Sequence, residues 1–221
     1  MKAMIVHSNE IVTLLGPARS PDAVLDESLG RASVLVAADG GAAVALARAI
    51  VPDAVIGDFD SLDAAVTGRI PPDRLHKVTE QDSTDFEKAL SRIDAPLVLA
   101  VGFTGQRLDH ELAVYNALVR HPDRRVIVIG EQDICFHLPA PLRLDLPEGA
   151  RVSLFPMARM RCASTGLRWA TDVLEFDPAG RIGTSNMVAH PPVTLRPYGP
   201  GMLVIMARRY LDAAIAALIA G

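Results

Sequence analysis

The change of pattern near residue 139 constrains the fold of this chain more than any other feature. Before it, short apolar runs that suit buried strands alternate with helical segments, which predicts a mostly parallel, doubly wound sheet. After it, strand-like runs are separated by Pro, Gly and Asp, the pattern of an all-β sandwich. We therefore predict an α/β domain over residues 1–138 and a β-sandwich domain over residues 139–221. An apolar helical tail from residue 210 is expected to dock on its own domain or on a partner subunit.

Composition narrows the functional class. The 221 residues carry a net charge of −4, and half of them are apolar, as expected for a globular protein with a substantial core. Lys and Arg are scattered rather than clustered, which argues against a nucleic-acid partner. No apolar run approaches the length of a membrane span, and Cys135 and Cys162 lie far apart without metal-site spacing. We expect a protein of a reducing compartment, the cytoplasm, with no membrane partner.

Two acidic motifs predict the chemistry. Asp58 and Asp60 follow an apolar run that ends in Gly57, and alternation along an extended segment places both carboxylates on the same side. Asp85, in the second motif, is a natural third ligand. Such a set suits Mg²⁺, which takes one or two carboxylates and fills its other positions with water and phosphate oxygens. The alternative is a strand that ends in an acidic, solvated loop, but residues 53–94 hold ten acids and only five bases, and this excess favours a bound cation.

A glycine turn joins a strand to a helix at Asp39, Gly40 and Gly41. In open α/β sheets, ligands lie at the carboxyl ends of the strands, where glycines allow close approach of the backbone and helix N-termini attract anions. The three residues are therefore candidates for contact with a nucleotide. The alternative is a tight turn in which Asp39 only caps the helix.

Six short motifs follow one another along the chain: ADGGA at 38–42, IGDFDS at 56–61, QDSTDF at 81–86, TGQRLDH at 104–110, TGLRW at 165–169 and GTSN at 183–186. Their order resembles that of the thiamin pyrophosphokinase (thiamine diphosphokinase) family, and the resemblance runs from about residue 11 to residue 207. It implies ATP-dependent transfer of a diphosphate to the hydroxyethyl group of thiamin, which yields thiamin diphosphate and AMP. It also implies Mg²⁺ as cofactor, ATP as co-substrate, and a homodimer whose subunits pair an α/β domain with a β-sandwich.

The resemblance assigns roles to residues of the α/β domain. Asp58, Asp60 and Asp85 become the metal-binding set, in agreement with the charge argument. Gln81 and Asp82 are expected to line the diphosphate or thiamin region, and Asp82 or Asp85 to accept the proton of the thiamin alcohol. Arg107 resembles the residue that clamps the ATP phosphates, a task that suits its planar, permanent charge. Asp109 is expected to hold a neighbouring donor or the substrate.

In the β domain the resemblance concerns Trp169, Ser185 and Asn186. Trp169, the only tryptophan, resembles the family residue that stacks on thiamin, and Ser185 and Asn186 resemble its polar companions. A single Trp in a β domain is more often part of the core, which is the alternative here. The resemblance further implies that this second set reaches the acidic set across a two-fold dimer interface, which gives shared active sites.

Two other functions fit the same residues. The scaffold could transfer diphosphate to another alcohol, such as a pterin, although an acidic site favours the cationic thiazolium ring. The chain could also be a thiamin or nucleotide sensor without turnover, although it retains all three carboxylates of the metal set. We expect an Asn substitution at Asp58, Asp60 or Asp85 to abolish turnover, because each removes a ligand of the metal. Because the acids repel one another, the same substitutions are expected to raise the melting temperature of the metal-free protein.

Overall fold

The computed structural model describes residues 3–60, 62–80, 82–138 and 140–220. Contacts within the chain define two compact units. The first comprises the residues up to Ala117 together with Val128–Glu131, and the second comprises Leu118–Ile127 and the residues from Gln132 onward. Among the described residues, no helix is both long enough and apolar enough to cross a membrane.

The first unit is built from strands that alternate with helices. Its strands are β1 (Val6–His7), β2 (Val12–Leu15), β3 (Val34–Ala38), β4 (Ala54–Gly57), β5 (Leu75–Lys77), β6 (Ile93–Asp94) and β7 (Val98–Val101), and β8 (Val126–Ile129) ends in it. Its helices are α1 (Asp22–Leu29), α2 (Gly41–Ala47), α3 (Ala64–Thr67), α4 (Asp85–Leu90) and the greater part of α5 (Leu108–Arg120), and residues 72–74 form a 3₁₀ turn.

The main sheet of this unit has the order β8-β7-β2-β3-β4-β5, and β1 pairs separately with β6. Strands β7, β2, β3, β4 and β5 pair in parallel, and Leu15 lies opposite both Ala37 and Val101. The central strands are buried along their whole length and are apolar except for Thr13, as expected when both faces of a parallel sheet are covered. Each fully buried Leu of these strands contributes about 1.5–3 kcal/mol of hydrophobic stabilisation.

The strand order reverses at β2, because the chain adds β3, β4 and β5 on one side of it and β7 on the other. The carboxyl ends of β2 and β7 approach closely there through two glycines. A Cβ atom on Gly16 would lie 2.3 Å from the carbonyl oxygen of Gly102, and Gly102 itself has a positive φ of 78°. Ligands of open α/β sheets bind at such a reversal, outside the carboxyl ends of the strands.

The second unit is antiparallel. Its strands are β9 (Asp133–His137), β10 (Leu142–Leu144), β11 (Arg151–Pro156), β12 (Met160–Thr165), β13 (Glu175–Phe176), β14 (Gly183–Met187), β15 (Val193–Pro197) and β16 (Met202–Ala207), followed by a 3₁₀ turn at residues 208–210 and helix α6 (Leu211–Ala220). One group of four has the order β14-β11-β16-β9 and the other the order β10-β15-β12-β13, with antiparallel pairing throughout.

Helix α6 packs against β10 of its own unit, so the apolar tail has a partner within the same chain. Leu211, Ala214 and Leu218 are its buried residues, and their spacing of three and four places them on one face of the helix. Of the two docking surfaces considered from the sequence, the structure therefore supplies the one on the tail's own domain.

The predicted fold class is confirmed: a mostly parallel α/β part precedes an antiparallel all-β part. The structural boundary lies earlier than residues 138 and 139, because β9 pairs with β16 and so belongs to the second unit. Only three residues separate β9 from β8, and both strands are mostly buried and apolar. The sequence therefore shows no change of pattern at the boundary between the two units. The sequence-based division at 138 and 139 stays a prediction about which segments fold independently.

A buried histidine in the second unit makes stability depend on pH. His137 accepts a hydrogen bond from the backbone N–H of Gly201 through Nε2 at 3.1 Å, while its Nδ1 is buried without a partner among the described residues. Burial lowers the pKa of His137 below its ordinary value of 6.5. The unfolded chain therefore binds a proton at a higher pH than the folded chain does, and stability is lost as the pH falls through 6.5 toward the folded pKa.

We expect the free energy of unfolding to fall between about pH 7.5 and pH 5, and to fall less in His137→Gln, which removes this titration. Denaturant unfolding at a series of pH values measures the slope. His190→Gln is the matched control, because His190 is exposed in the same unit. Equal slopes in wild type and His137→Gln contradict the prediction.

Candidate active site

A cavity of about 500 Å³ lies in the first unit at the carboxyl ends of β2, β3, β4 and β7. One side of it is acidic and another is aromatic. Its acidic residues are Asp39, Asp58, Asp60 and Asp85, its aromatic residues are Phe86 and Phe103, and Arg107 and His110 line it as well. The sheet therefore brings together five of the residues predicted from separate motifs.

Asp39 is held in place by the strand next to its own. It is 3% exposed, its φ is positive at 42°, and its Oδ1 accepts a hydrogen bond from the backbone N–H of Phe59 at 3.0 Å. Gly57, at the end of β4, permits this approach, because a Cβ atom there would lie 2.8 Å from Asp39 Oδ1. A side chain at position 57 is therefore excluded for steric reasons, and the carboxylate of Asp39 holds the turn after β4, whereas α2 has no side-chain cap.

The turn after β4 separates Asp58 and Asp60 from the apolar residue between them. Phe59 has a positive φ of 67° and packs against the hydrophobic cluster that includes Ala37 and Val55. The backbone N–H of Asp60 donates a hydrogen bond to Asp58 Oδ1 at 3.2 Å. Burial of Phe59 therefore fixes the turn and leaves both carboxylates at the cavity.

Lys88 is a site residue that the sequence analysis missed. Its side chain is only 4% exposed, and its Nζ lies 2.5 Å from Asp58 Oδ2 and 3.3 Å from Asp85 Oδ1. Helix α4 produces this arrangement, because residues three apart lie on one helical face and Asp85 occupies the first turn. That i, i+3 spacing of opposite charges was the signal available in the sequence.

The pKa values of Asp58 and Asp85 shift in opposite directions, although both carboxylates contact Lys88. The hydrogen bond from Lys88 holds the pKa of Asp58 below its ordinary value of 3.8, although burial opposes it. Burial, followed by repulsion from Asp39, raises the pKa of Asp85 above 3.8 despite the attraction of Lys88. Burial alone would lower the pKa of Lys88, but the hydrogen bond to Asp58 and the charge of Asp85 outweigh it and raise that pKa.

These contacts revise the expectation that an Asn substitution raises the melting temperature of the metal-free protein. Asp58 and Asp85 attract Lys88 as well as repelling each other, and removal of one carboxylate leaves a buried ammonium with a single anionic neighbour. Breaking a buried ion pair on one side is strongly destabilising. The expectation of higher stability therefore applies to Asp60, which is exposed, rather than to Asp58 or Asp85.

The carboxylates suit a hard divalent cation by their chemistry, although they do not form a closed cage. Four carboxylates face the cavity, and Lys88 supplies one opposing charge next to them. Among the described residues, no three His, Cys, Asp or Glu side chains converge closely enough to enclose a metal ion. Mg²⁺ needs no such cage, because it keeps waters and uses one or two carboxylates with substrate phosphates. Asp58, Asp60 and Asp85 could hold it in that manner.

The loop before α5 presents Arg107 to the cavity. Its Nη2 and Nε lie 2.7 and 3.2 Å from the two carboxylate oxygens of Asp109, and both side chains are about two-thirds exposed. The hydrogen bond from Arg107 lowers the pKa of Asp109, which does not itself line the cavity. Glu111 holds the loop by accepting hydrogen bonds from the N–H of Gly105 and from the hydroxyl of Tyr115, both at 2.9 Å.

Four other predicted site residues lie away from the cavity or outside the described residues. Gly41 is buried, and a Cβ atom there would lie 2.1 Å from the carbonyl oxygen of Leu15, so this glycine lets α2 pack on β2. Gly40 precedes it at the start of α2. Asp82 is exposed and is absent from the cavity lining, and Gln81 lies outside the described residues.

The loop that contains Asp82 is tied to α4. Arg92 donates a hydrogen bond to Glu80 Oε2 at 2.9 Å and another to the carbonyl oxygen of Lys88 at 2.8 Å, and Ser83 contacts the other oxygen of Glu80. Thr84 caps α4 through its side-chain oxygen. The second acidic motif is therefore anchored at both of its ends.

In the second unit Trp169 is exposed rather than part of the core. It is 53% exposed, and the guanidinium carbon of Arg168 lies 5.2 Å from the centre of its ring. Asn186 is buried and serves the loop of Trp169: its Oδ1 accepts from the N–H of Trp169 at 3.2 Å and its Nδ2 donates to the carbonyl of Trp169 at 2.7 Å. Ser185 is exposed with a φ of 61°, and its N–H donates to Ser153 Oγ. Asn186 is thus a positioning residue for an available indole ring.

Comparison with known proteins agrees with the resemblance in the sequence. The family model described as "Thiamin pyrophosphokinase, catalytic domain" matches residues 25–129. Thiamine pyrophosphokinase 1 of Arabidopsis thaliana is 29% identical over 217 residues, covering 78% of this chain and 80% of that protein.

Solved structures share the fold. Thiamin pyrophosphokinase from Geobacillus thermodenitrificans superposes with a TM-score of 0.73 at 24% identity, covering 89% of this chain and 96% of the other. Thiamin pyrophosphokinase from Candida albicans has a TM-score of 0.73 at 16% identity, covering 91% and 93%. At these identities the structures establish the fold, and the sequence matches say which family the chain resembles. The chain is similar in sequence and in fold to the thiamin pyrophosphokinases.

Proposed function

We propose that this protein is a thiamin pyrophosphokinase that transfers a diphosphate from ATP to the hydroxyethyl group of thiamin, giving thiamin diphosphate and AMP with Mg²⁺ as cofactor. One observation carries the proposal beyond this similarity. The acids of three separate motifs line one cavity at the carboxyl ends of the sheet, together with an arginine. Acids that gather a cation and an arginine that binds phosphate are the parts that phosphoryl transfer requires.

The proposed reaction is an in-line displacement. The alcohol oxygen of thiamin attacks the β-phosphorus of ATP, the bond from that phosphorus to the oxygen bridging to the α-phosphate breaks, and AMP leaves with the bonding electron pair. Asp58, Asp60 and Asp85 would hold Mg²⁺, which when bound neutralises charge on the phosphate oxygens. The protein contributes chiefly orientation and electrostatic stabilisation.

Asp85 is the better placed of the two candidate proton acceptors. It lines the cavity, so the alcohol can bind within reach of whichever of its carboxylate oxygens the metal does not take. Asp82 is exposed and does not line the cavity. The alcohol proton therefore passes to Asp85 in this proposal, and Asp82 stays the second candidate.

Arg107 is proposed to bind the ATP phosphates. Its present partner is Asp109, and exposed ion pairs of this kind contribute little to stability. The guanidinium group can therefore exchange this partner for a phosphate at small cost. Asp109 would then hold Arg107 near the cavity in the absence of nucleotide. Asp39 and the turn at Gly40 and Gly41 remain proposed neighbours of the nucleotide.

Trp169 is proposed to stack on thiamin. Its exposure leaves a ring face available, and a cationic thiazolium over an indole ring is stabilised by about 0.5–2 kcal/mol. Ser185 is the exposed polar group proposed to accompany it. We also infer a homodimer in which Trp169 of one subunit serves the acidic cavity of the other, an arrangement that the family resemblance supports. A cytoplasmic location is part of the proposal, and the two buried, unpaired cysteines suit a reducing compartment.

Two alternatives make different predictions. Transfer to a pterin or another neutral alcohol gains nothing from four carboxylates near the acceptor, whereas a cationic acceptor does. A sensor without turnover would bind thiamin and ATP and release neither AMP nor ADP.

The first test is the identity of the nucleotide product. With ATP, Mg²⁺ and thiamin, we expect AMP and thiamin diphosphate in equal amounts, and at least a hundredfold loss in Asp60→Asn, since removal of a charged group from a preorganised phosphoryl-transfer site has about this effect. Its melting temperature should not fall, because Asp60 is exposed. Asp73→Asn, an exposed acid outside the cavity, is the control. Formation of ADP, or of no product from thiamin, contradicts the proposed function.

The second test concerns the thiamin platform. Trp169→Ala should raise the KM for thiamin by roughly 2- to 30-fold, as expected from the loss of a stacked cation–π contact, with little change in the KM for ATP. Trp169→Phe should restore much of the affinity. Initial-rate kinetics with each substrate varied in turn measure both constants. Equal losses toward ATP and thiamin, or an unfolded variant, would show that the indole ring is structural.

The third test addresses the shared site. Inactive Asp60→Asn is mixed with Trp169→Ala under conditions of subunit exchange, and activity is measured at a thiamin concentration far below the KM of Trp169→Ala. If each site takes the cavity from one subunit and Trp169 from the other, about a quarter of the sites are intact after random pairing. If each site lies within one chain, every site keeps one lesion. A mixture no more active than the same amount of unmixed Trp169→Ala, with exchange verified by mass-tagged subunits, rules out the shared site.

A further inference from the structure

Lys88 occupies an unusual position for a lysine. Its side chain is almost entirely buried, and its ammonium group lies between carboxylates from two different elements, Asp58 after β4 and Asp85 in the first turn of α4. Lysine is rarely buried without such partners, since removal of an ammonium from water is costly. The two ion pairs offset this cost at the edge of the acidic cavity.

The backbone around Lys88 is anchored, so the position of the ammonium is set by the fold. Thr84 caps the start of α4, and at the other end Arg92 and the hydroxyl of Ser91 both donate hydrogen bonds to the carbonyl oxygen of Lys88. Arg92 is in turn paired with Glu80 at 2.9 Å. Such fixation at both ends distinguishes Lys88 from an exposed lysine that samples many rotamers.

The charges near Lys88 require a counter-ion most strongly when the cavity holds no other cation. Asp39, Asp58, Asp60 and Asp85 line one cavity, so their negative charges repel one another there. Lys88 contacts one oxygen of Asp58 and one of Asp85, and the other oxygen of Asp58 accepts a hydrogen bond from Asp60. The ammonium therefore fixes the separation and the orientation of these carboxylates from the side opposite solvent.

We propose that Lys88 is a positioning residue: its ammonium is a built-in counter-ion that keeps Asp58 and Asp85 together while the cavity is empty, and a divalent cation takes over part of this task when it binds. The part that concerns the divalent cation rests on the proposed function. The contacts of Lys88 with the two carboxylates do not depend on it.

The test measures thermal unfolding with and without Mg²⁺, so it needs no turnover. Without metal, Lys88→Met should lower the melting temperature by roughly 5–15 °C, as expected for a broken buried ion pair in a chain of this length. With saturating Mg²⁺ the loss should shrink by about half or more, because the cation replaces the missing positive charge and so stabilises the folded variant more than the folded wild type. Sodium chloride of equal ionic strength serves as the control for simple screening.

Two further variants separate a counter-ion from a residue that only fills space. Lys77→Met removes an exposed lysine on β5 and should change the melting temperature little under either condition. The double variant Lys88→Met with Asp58→Asn should be more stable without metal than Lys88→Met alone, because it no longer holds an uncompensated carboxylate at that position. Coupling of this sign is expected only if the charge of Lys88 matters.

The outcomes decide the proposal separately from the function. A loss of melting temperature in Lys88→Met that is the same with and without Mg²⁺, or no loss at all, overturns it. If Lys88→Met yields no folded protein, refolding decides: recovery only in Mg²⁺ supports the proposal, and recovery in neither condition overturns it. Formation of AMP by the wild-type protein is measured independently, so failure of the proposed function leaves these melting data interpretable.

Discussion

Repulsion among carboxylates is the constraint on which the site depends. The parallel strands end at one edge of the sheet. The acids that follow β3 and β4 meet there with the acid that begins α4. The fold tolerates the concentration of negative charge because α4 delivers Lys88 between Asp58 and Asp85. The remaining excess of negative charge is what a divalent cation or a cationic substrate can neutralise.

Close backbone contacts make this edge possible. Gly16 and Gly102 let β2 and β7 end side by side, and Gly57 leaves room for the carboxylate of Asp39. These glycines tolerate no side chain for steric reasons: in each case a Cβ atom would lie under 3 Å from a neighbouring atom. Packing and charge are thus connected at Gly57. The close approach of the backbone there also lets Asp39 accept a hydrogen bond from the turn after β4.

In the second unit, the large aromatic ring of Trp169 is exposed to solvent. An indole ring left in water gives up hydrophobic stabilisation, so its loop must be held by other means. Asn186 does this with both ends of its amide group, and it is itself buried. The ring stays about half exposed, and the guanidinium carbon of Arg168 lies over it at 5.2 Å from its centre.

Much of the fold and of the candidate site could be predicted from the sequence. The alternation of strands and helices, the change to short strands, and the placement of Asp58, Asp60 and Asp85 in motifs after strands all follow from local periodicity and chain order. These features are encoded within a few neighbouring residues, so a single sequence contains the information. The family motifs added the expected chemistry, since their order along the chain is itself a property of the sequence.

The tertiary structure alone decided which side chains face one another. Sequence distance does not reveal that Lys88 lies 2.5 Å from Asp58, thirty residues away, or that Gly57 makes room for Asp39. It also did not show that Asn186 supports Trp169 from within, or that β9 pairs with β16. Such contacts depend on strand pairing and on the packing of α4 against the sheet, which join segments far apart in the chain. Local pattern therefore predicted the elements and their acids, whereas long-range packing determined their partners.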